Sequence, residues 1–325
     1  MKIIALYSNR RDRLTMPKIK TFCRLLCENP AGILEAAGHY GCFNWIPDKL
    51  YLKMIYLLEI GKKLNLDNPQ TYNEKLQWLK LYDRNLLYTQ LVDKYEVRKY
   101  IANSIGEDYL IPLIGVYDSF DEIDFDVLPN EFVLKCTHDS GGVVICTDKS
   151  KLKIAAAKRK INDCLKRNFY YIGREWPYKN VKPRIICEKY LVDEADIELK
   201  DYKFMCFNGK ARCAFVCLNR NSPTGLNVDF YDMDWNPMPF ERHYPSSRKK
   251  IDKPKNYCKM IEFAEKLSKD IPFVRVDFYE ANKQLYLGEL TFYPGSGFEE
   301  FTPESYDELL GSWIILPIEK ILSNY

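Results

Sequence analysis

Residues 132–144 read FVLKCTHDSGGVV, and the fold is decided around this stretch. Its two apolar, β-prone ends flank a polar loop that carries Gly141-Gly142, a pattern that predicts a strand–loop–strand hairpin. Glycine lets a backbone come close to a ligand. Lys135 precedes the loop, so one cation and a row of backbone N–H groups would suit a phosphate chain. A Walker A loop differs, because its lysine follows the glycines and opens a helix. Taken alone, an ordinary Gly-Gly turn explains the stretch equally well.

The composition is that of a globular protein. The chain has 325 residues, of which 46% are hydrophobic and 29% are charged. A net charge of +3 is too small to indicate a nucleic-acid partner, so none is predicted. The 11 cysteines are odd in number and scattered. Cys23 and Cys27 have a spacing that suits one face of a helix, and the second close pair that a zinc ribbon would need, Cys213 with Cys217, lies inside an apolar strand-like run instead. We expect small buried thiols in a reducing compartment. Three histidines are too few for a histidine-built metal site.

The start of the chain predicts a cytoplasmic protein. The apolar run at residues 3–7 is too short for a signal peptide, and Arg10-Arg11-Asp12-Arg13 follows it at once. No run reaches the roughly 18 apolar residues of a membrane helix. Residues 1–65 are predicted to be helical and begin with basic side chains. Such a segment would suit peripheral contact with the inner face of a membrane, although a charge run is more often a solvated face.

Helices are predicted first, and hairpins mixed with helices follow. Thr71-Tyr72-Asn73-Glu74 fits a capping box, and apolar spacing predicts a second helix from Tyr88 to Ala102. Asn208-Gly209 between two apolar runs predicts a hairpin. Further segments are predicted as strands at 109–116, 184–191, 202–207, 211–218, 228–231, 273–279 and 285–290, and as helices at 151–168, 257–267 and 304–325. This order favours an α+β fold with antiparallel sheet.

Two carboxylates stand on the adjacent strands of the last hairpin. Asp277 and Glu289 each lie among apolar residues, where an ionised carboxylate is costly unless it is paired or bound to a metal. Two converging carboxylates suit Mg²⁺, which prefers oxygen ligands. The alternative is that both side chains point to solvent.

The order of these features resembles the TupA-like (teichuronopeptide-biosynthesis) family of the ATP-grasp superfamily, over about residues 45–320. The blocks that carry the resemblance are Asn65-Leu66 with Asn68-Pro69, residues 71–78, Val92-Asp93-Lys94-Tyr95, Leu134-Lys135-Cys136, residues 138–142, Gly173-Arg174-Glu175-Trp176-Pro177-Tyr178, Asp201-Tyr202-Lys203-Phe204, Phe207-Asn208-Gly209-Lys210 and residues 230–235. The resemblance implies an ATP-grasp fold, with antiparallel sheets that sandwich the nucleotide and a helical N-terminal region. We expect a helical, basic region at 1–65, the first part of the core at 66–115, a subdomain with the glycine-loop hairpin at 116–192, and a subdomain with the metal-binding carboxylates at 193–325.

The resemblance also implies a role for individual residues toward ATP. Lys94 and Lys135 would touch the phosphates, and Ser140, Gly141 and Gly142 would form a flexible loop over them. The backbone of a hinge would read the adenine edge. This hinge comprises Glu188, Lys189, Tyr190 and Leu191. Asp201 would bind the ribose, with Glu194 or Asp196 as alternatives.

The same resemblance implies a Mg²⁺ site. Asp277 and Glu289 would bind the metal, and Arg275 would stabilise an acyl phosphate. Thr291 stands where the superfamily commonly has an asparagine, which leaves the number of metal ions open. Lys203 would be an extra phosphate contact or a plain surface lysine.

The activity implied is that of an ADP-forming carboxylate–amine ligase, which would use ATP and Mg²⁺ to join an amino acid to a sugar acid of a surface or capsular polysaccharide precursor. Gly173 to Tyr178 and Pro294 to Phe298 would line the acceptor region. One alternative is a glycosyltransferase, since Asp232-Met233-Asp234 fits a DxD-like string. A saccharide kinase and a scaffold that binds ATP without turnover are the others.

Overall fold

The structure, a computed structural model, describes Gly38 and residues 41–318, apart from 194–198, 220–221 and 223–224. The basic start of the chain, the Cys23–Cys27 pair and most of the predicted N-terminal helix lie outside these residues. So do Glu194 and Asp196, the two alternative ribose ligands, and the last residues of the predicted closing helix.

Eight α-helices lie within the described part of the chain. They are α1 (Asp48–Ile60), α2 (Tyr72–Tyr82), α3 (Leu86–Val92), α4 (Val97–Ile105), α5 (Ile154–Leu165), α6 (Tyr170–Gly173), α7 (Tyr257–Leu267) and α8 (Ser305–Ser312). The predicted capping box opens α2: the Thr71 hydroxyl accepts from the Glu74 N–H at 3.2 Å, and the Glu74 carboxylate accepts from the Thr71 N–H at 3.2 Å. None of the described helices is long and apolar enough to span a bilayer.

The single helix predicted from Tyr88 to Ala102 is wrong, because the chain breaks between α3 and α4. The Asp93 carboxylate accepts from the N–H groups of Tyr95 and Glu96 at 2.8 and 3.3 Å, which competes with helical hydrogen bonding. The Lys94 N–H donates to the Thr137 carbonyl at 3.1 Å. The break therefore places Lys94 against the loop of the 132–144 hairpin.

The first sheet has four antiparallel strands in the order β1-β4-β2-β3. They are β1 (Leu113–Tyr117), β2 (Phe132–Cys136), β3 (Val143–Cys146) and β4 (Ile185–Lys189). The β2–β3 hairpin is the one predicted. Strand β1 starts later than predicted, because residues 107–109 form a 3₁₀ turn closed by the Leu110 N–H on the Glu107 carbonyl at 3.0 Å.

The second sheet has five antiparallel strands in the order β10-β9-β5-β6-β7. They are β5 (Asp201–Phe207), β6 (Lys210–Leu218), β7 (Asn227–Tyr231), β9 (Phe273–Ala281) and β10 (Gln284–Thr291), while β8 (Glu241–Arg242) pairs with β11 (Phe301–Thr302). The predicted β5–β6 hairpin turns through Asn208 (φ 48°) and Gly209 (φ 79°). Such positive φ angles match the twist of paired strands.

The predicted closing helix is shorter than expected. It ends at Ser312, because the Trp313 carbonyl accepts from the Asn208 side chain at 2.6 Å and the Ile315 N–H donates to the same side chain at 3.1 Å. Pro317 then disfavours a helical continuation.

Each sheet has its own hydrophobic core. The larger core lies on the second sheet and includes α1 to α4 and α7, and the smaller one packs α5 on the first sheet. The sheets are joined where Leu110 bridges Leu287 of β10 and where the Asn282 side chain donates to the Val192 carbonyl at 3.2 Å. The remaining faces carry the charged residues described below.

The capping box yields a stability prediction. Replacing Thr71 by Ala leaves an N-terminal N–H of α2 without its acceptor, and we expect a loss of about 1 kcal/mol in the free energy of unfolding. Thr71→Ser keeps the hydroxyl and should stay close to wild type. Urea unfolding measures both, and equal stability of the two variants would contradict the role of the cap.

Candidate functional site

A β-bulge at Gly288 decides which side chains of β10 meet β9. Leu287 pairs with Phe278, and the next paired residue of β10 is Glu289, opposite Asp277. A Cβ on Gly288 would lie 2.8 Å from the Tyr279 ring, so this residue has no room for a side chain. The extra residue turns Glu289 to the face that carries Asp277.

Asp277 is buried and held by two cations. Its side chain is 1% exposed, and Arg275 donates to its two oxygens at 2.7 and 2.6 Å. Lys203 also contacts this carboxylate. Burial alone would raise the pKa of Asp277, but Arg275 and Lys203 hold that pKa below its ordinary value. A solvent-facing orientation is therefore wrong for Asp277, whereas the Glu289 side chain is 42% exposed.

Lys203 is not a plain surface lysine. It is buried, and its Nζ lies 2.7 Å from the Asp201 carboxylate while also contacting Asp277. Burial by itself would lower the pKa of Lys203, but the charges of Asp201 and Asp277 raise it, so the lysine stays charged. Burial raises the pKa of Asp201, although Lys203 opposes the shift. The structure thus places Asp201, the predicted ribose ligand, beside Asp277.

The oxygen atoms around Asp277 fit a hard divalent cation. The Thr291 hydroxyl lies 3.3 Å from a Glu289 oxygen and accepts from Arg275 at 3.0 Å. Arg275 also donates to Glu289 at 3.2 Å. Two carboxylates and a hydroxyl on one face are the ligand type that Mg²⁺ prefers. Arg275 and Lys203 balance these oxygens in the structure.

A second charged cluster lies on the first sheet. The Glu188 carboxylate accepts hydrogen bonds from Lys135 Nζ at 2.7 Å and from Arg98 at 3.1 Å. Arg98 also donates to the Ile111 carbonyl at 2.9 Å. Lys135 and Glu188 share one face, because β2 pairs Lys135 with Ile186 and Val133 with Glu188. Glu188 was predicted to act through its backbone, but its side chain orients Lys135, the lysine predicted to contact phosphate.

The glycine loop lies directly beside these cations. Lys94 Nζ donates to the Asp139 carbonyl at 2.5 Å, which fixes the lysine at the start of the loop. Ser140 is exposed, and Gly141 has φ 120° with open space where a Cβ would lie. Gly142 is different, since a Cβ there would lie 2.7 Å from the Asp139 carboxylate. The tip of the loop is therefore open, while its base is packed.

The predicted hinge lies at the end of β4. The Lys189 N–H already donates to the Pro112 carbonyl at 2.9 Å, and Tyr190 and Leu191 follow the strand. A cleft of about 800 Å³ opens nearby, lined by Arg98, Tyr109, Leu110, Pro112, Gln284 and Tyr286 among others. Of the charged cluster on the first sheet, the lining includes Arg98 but not Lys135, and it includes neither Asp277 nor Glu289.

Tyr178 interacts with charges of both the glycine loop and the carboxylate hairpin. Burial raises the pKa of its hydroxyl, and the charges of Glu175, Glu289 and Asp139 raise it further while Arg275 lowers it. Charges of the glycine loop and of the carboxylate hairpin therefore both act on this one hydroxyl.

The sequence reasoning missed a buried polar group next to the predicted acceptor segments. Lys80 Nζ donates to the Gln77 side chain at 2.9 Å and to the Ser296 carbonyl at 2.7 Å, and the Ser296 hydroxyl donates to Glu175 at 2.5 Å. Burial lowers the pKa of Lys80 to about 7, although Glu175 acts in the opposite direction. The signal was the polar stripe of Asn73, Gln77 and Lys80 at helical spacing in α2.

The carboxylate of Asp232, the first residue of the DxD-like string, makes hydrogen bonds within its own turn. Its carboxylate accepts from the N–H groups of Asp234 and Asn236 at 3.0 and 2.7 Å and from the Asn236 side chain at 3.0 Å. The turn follows β7 at the edge of an antiparallel sheet, which is unlike the doubly wound sheet that this motif needs. Nothing in this geometry favours a glycosyltransferase.

Comparison with known proteins gives one family and several distant structures. The model of a family described as TupA-like ATPgrasp matches residues 74–315. No curated protein matches the chain. Among solved structures, D-alanine–D-alanine ligase from Bacillus anthracis complexed with ATP is similar at 15% identity over 64% of this chain and 56% of that one, with a TM-score of 0.39.

Two other solved structures are similar to the same degree. The biotin carboxylase domain of 2-oxoglutarate carboxylase from Hydrogenobacter thermophilus, with MgADP, has 13% identity over 62% of this chain and 40% of that one, with a TM-score of 0.38. The ATP-grasp ligase PsnB with minimal precursor, Mg and ADP has 9% identity over 67% and 57%, with a TM-score of 0.36. The chain thus spans less than two thirds of the length of each, and these likenesses are too distant to assign it an activity.

The Lys203 bridge yields a prediction on stability and its pH dependence. Lys203→Met leaves Asp201 and Asp277 with one cation fewer, and we expect a loss of about 3 kcal/mol in the free energy of unfolding at pH 7. Because the folded pKa of Asp277 is depressed, its ion pairs contribute fully above its ordinary pKa of about 3.9, and the contribution is lost as the pH falls below that value. The difference between wild type and variant should therefore shrink in acid.

Urea unfolding at pH 7 and in acid measures this difference. Lys210→Met is the control, since Lys210 is exposed on β6 and pairs with Glu265 at 2.9 Å. An exposed pair of this kind contributes at most about 1 kcal/mol. An equal loss of unfolding free energy in the two variants would show that the buried bridge stabilises the protein no more than an exposed ion pair does.

Proposed function

Because the chain belongs to the TupA-like ATP-grasp family, we propose that it is an ADP-forming carboxylate–amine ligase that uses Mg-ATP. One observation carries the proposal beyond membership: each sheet holds a charged cluster, Lys135–Glu188 with Arg98 on the first and Lys203–Asp277–Arg275 on the second. Such an arrangement provides cations for a phosphate chain and oxygens for a metal.

The first sheet would bind the nucleotide. Lys94 and Lys135 would donate to the phosphates, and Ser140 to Gly142 would close over them with backbone N–H groups. The Glu188 carboxylate and the Asp139 carbonyl hold these two lysines in the structure, so both cations are oriented before a ligand arrives. The hinge that ends at Leu191 would receive the base.

The second sheet would hold the metal and the reacting groups. Asp277, Glu289 and Thr291 would ligate Mg²⁺, which when bound would neutralise phosphate charge. Arg275 would hold the carboxylates in register and donate to the transferred phosphoryl group. Asp201 keeps Lys203 charged beside Asp277, where the lysine would be a further phosphate contact.

The proposed reaction forms an amide in two steps. The substrate carboxylate attacks the γ-phosphorus of ATP and ADP leaves, which gives an acyl phosphate. An amine then attacks the acyl carbon, inorganic phosphate leaves, and the amine loses a proton. Phosphoryl transfer depends mainly on positioning and charge neutralisation. The cations and carboxylates of the two charged clusters can supply both.

The substrates we propose are an amino acid and a sugar acid of a surface or capsular polysaccharide precursor. The acceptor would lie against two segments that contact each other: residues 173–178 and residues 294–298, joined by Ser296 and Glu175. Aromatic side chains such as Trp176 would suit a sugar ring. We place the enzyme in the cytoplasm.

A screen of uronic acids against amino acids tests this proposal. We expect Mg²⁺-dependent ADP release only when both a carboxylate and an amine are present, together with a product whose mass is the sum of the two minus water. ADP release with a saccharide but no amine would indicate a kinase. Sugar transfer from a nucleotide sugar would indicate a glycosyltransferase, and the absence of any turnover would leave a scaffold.

Glu289 tests the metal site within that reaction. Glu289→Gln removes one charged oxygen from the predicted Mg²⁺ ligands, and we expect kcat for ADP formation to fall by about 10²-fold or more. The exposed Glu262→Gln on α7 is the control and should behave as wild type. A Glu289→Gln enzyme that is folded and fully active would remove this carboxylate from the mechanism.

A further inference from the structure

Three donor atoms for a soft metal converge beneath the glycine loop. Cys136 ends β2, Asp139 lies in the loop, and Cys164 lies near the end of α5. The two sulfur atoms and a carboxylate oxygen all lie within 4.8 Å of one another, and all three residues are buried. Cys136 and Asp139 are close in the sequence, and the packing of α5 on the first sheet brings the distant Cys164 to them.

The surroundings hold these donors in place. The Asp139 carboxylate accepts from the Gly142 N–H at 3.2 Å, and Arg167 donates to Cys164 Sγ at 3.0 Å. His138 Nε2 lies 3.1 Å from the Cys164 carbonyl, so the histidine supports the cluster without joining it. A Cβ on Gly142 would lie 2.8 Å from Cys136 Sγ. Glycine at this position therefore keeps the space around the cluster free.

We infer that Cys136, Asp139 and Cys164 form a binding site for a thiophilic divalent cation of the Zn²⁺ class. Two thiolates and one carboxylate supply three ligands, and water would complete a tetrahedron. Zinc–sulfur bonds of about 2.3 Å place two sulfur ligands about 3.8 Å apart, and the fold already holds the three donor atoms within 4.8 Å of one another. Binding releases the two thiol protons to solvent. Mg²⁺ prefers oxygen ligands and does not match this set.

The Asp139 carboxylate distinguishes this metal site from a simple pair of thiols. A disulfide between the two cysteines would leave Asp139 buried against neutral sulfur, whereas a cation matches its charge. A bound metal would tie β2 and α5 to the loop residue whose carbonyl holds Lys94. The base of the loop would then be rigid, while its tip at Ser140-Gly141 stays open.

Zinc binding by the full-length protein tests the site. The reduced protein, kept free of oxygen and nucleotide, is dialysed against Zn²⁺ with excess Mg²⁺, and bound zinc is measured by elemental analysis. We expect one equivalent per chain, and with Co²⁺ in its place a thiolate-to-metal charge-transfer band. Cys136→Ser and Cys164→Ser should each weaken binding by at least tenfold, and Asp139→Asn should weaken it less. Cys146→Ser, at a buried cysteine on β3 outside the cluster, is the matched control.

Two outcomes would overturn the inference. One is zinc binding that is equal in wild type and in the Cys136→Ser/Cys164→Ser double variant, with circular dichroism showing that both are folded. The other is that Cys136 and Cys164 form a disulfide with each other when oxidised glutathione is added, yet the reduced protein binds no Zn²⁺. That result would assign the two cysteines a redox role. The binding assay contains no nucleotide or substrate. A lack of zinc binding would therefore leave the proposed ligase activity standing, and a lack of ligase activity would leave the zinc site standing.

Discussion

The second sheet depends on the neutralisation of one buried carboxylate. Asp277 has almost no access to water, and a charge in that position is stable only with partners of opposite sign. Arg275 comes from the same face of β9, Lys203 lies directly opposite on β5, and Glu289 lies opposite on β10. Three neighbouring strands must therefore keep one register. A slip by one residue would send a charged side chain into the hydrophobic core.

The first sheet repeats this arrangement with the same signs. There a single carboxylate, Glu188, sits between two cations, Lys135 and Arg98. Both sheets thus use one face for a hydrophobic core and the other for a compact charged group. The break between α3 and α4 adds a further cation to this region, because it places Lys94 against Thr137 and Asp139 at the start of the glycine loop.

Local signals in the sequence were sufficient for much of the fold. The capping box at Thr71 and the Asn208-Gly209 turn depend on residues close together in the chain, and both are present. The break at Asp93 was not predictable in this way, since it is completed by the distant Thr137 carbonyl. The length of the closing helix likewise depends on Asn208.

The candidate site was predictable in its residue types but not in its pairings. Asp277 and Glu289 were identified from their apolar neighbours, whereas the burial of Lys203 follows from the pairing of β5 with β9. Lys80 and Glu175 meet through Ser296, far from both in sequence. The cysteines were expected to be buried, and seven of the nine described ones are, whereas Cys42 and Cys258 are exposed. The approach of Cys136 to Cys164 depends on how α5 packs on the first sheet.

The bulge in β10 has a consequence for changes in chain length. Leu285 and Leu287 face the core before it, and Leu290 does so after it, so the apolar alternation changes phase at Gly288. The ladder with β9 skips this one residue. Loss of Gly288 from the chain would convert β10 into a regular strand in which every remaining side chain keeps its face. Loss of a residue elsewhere in β10 would shift all that follow it. The strand therefore contains a single position at which a deletion conserves both the core and the charged face.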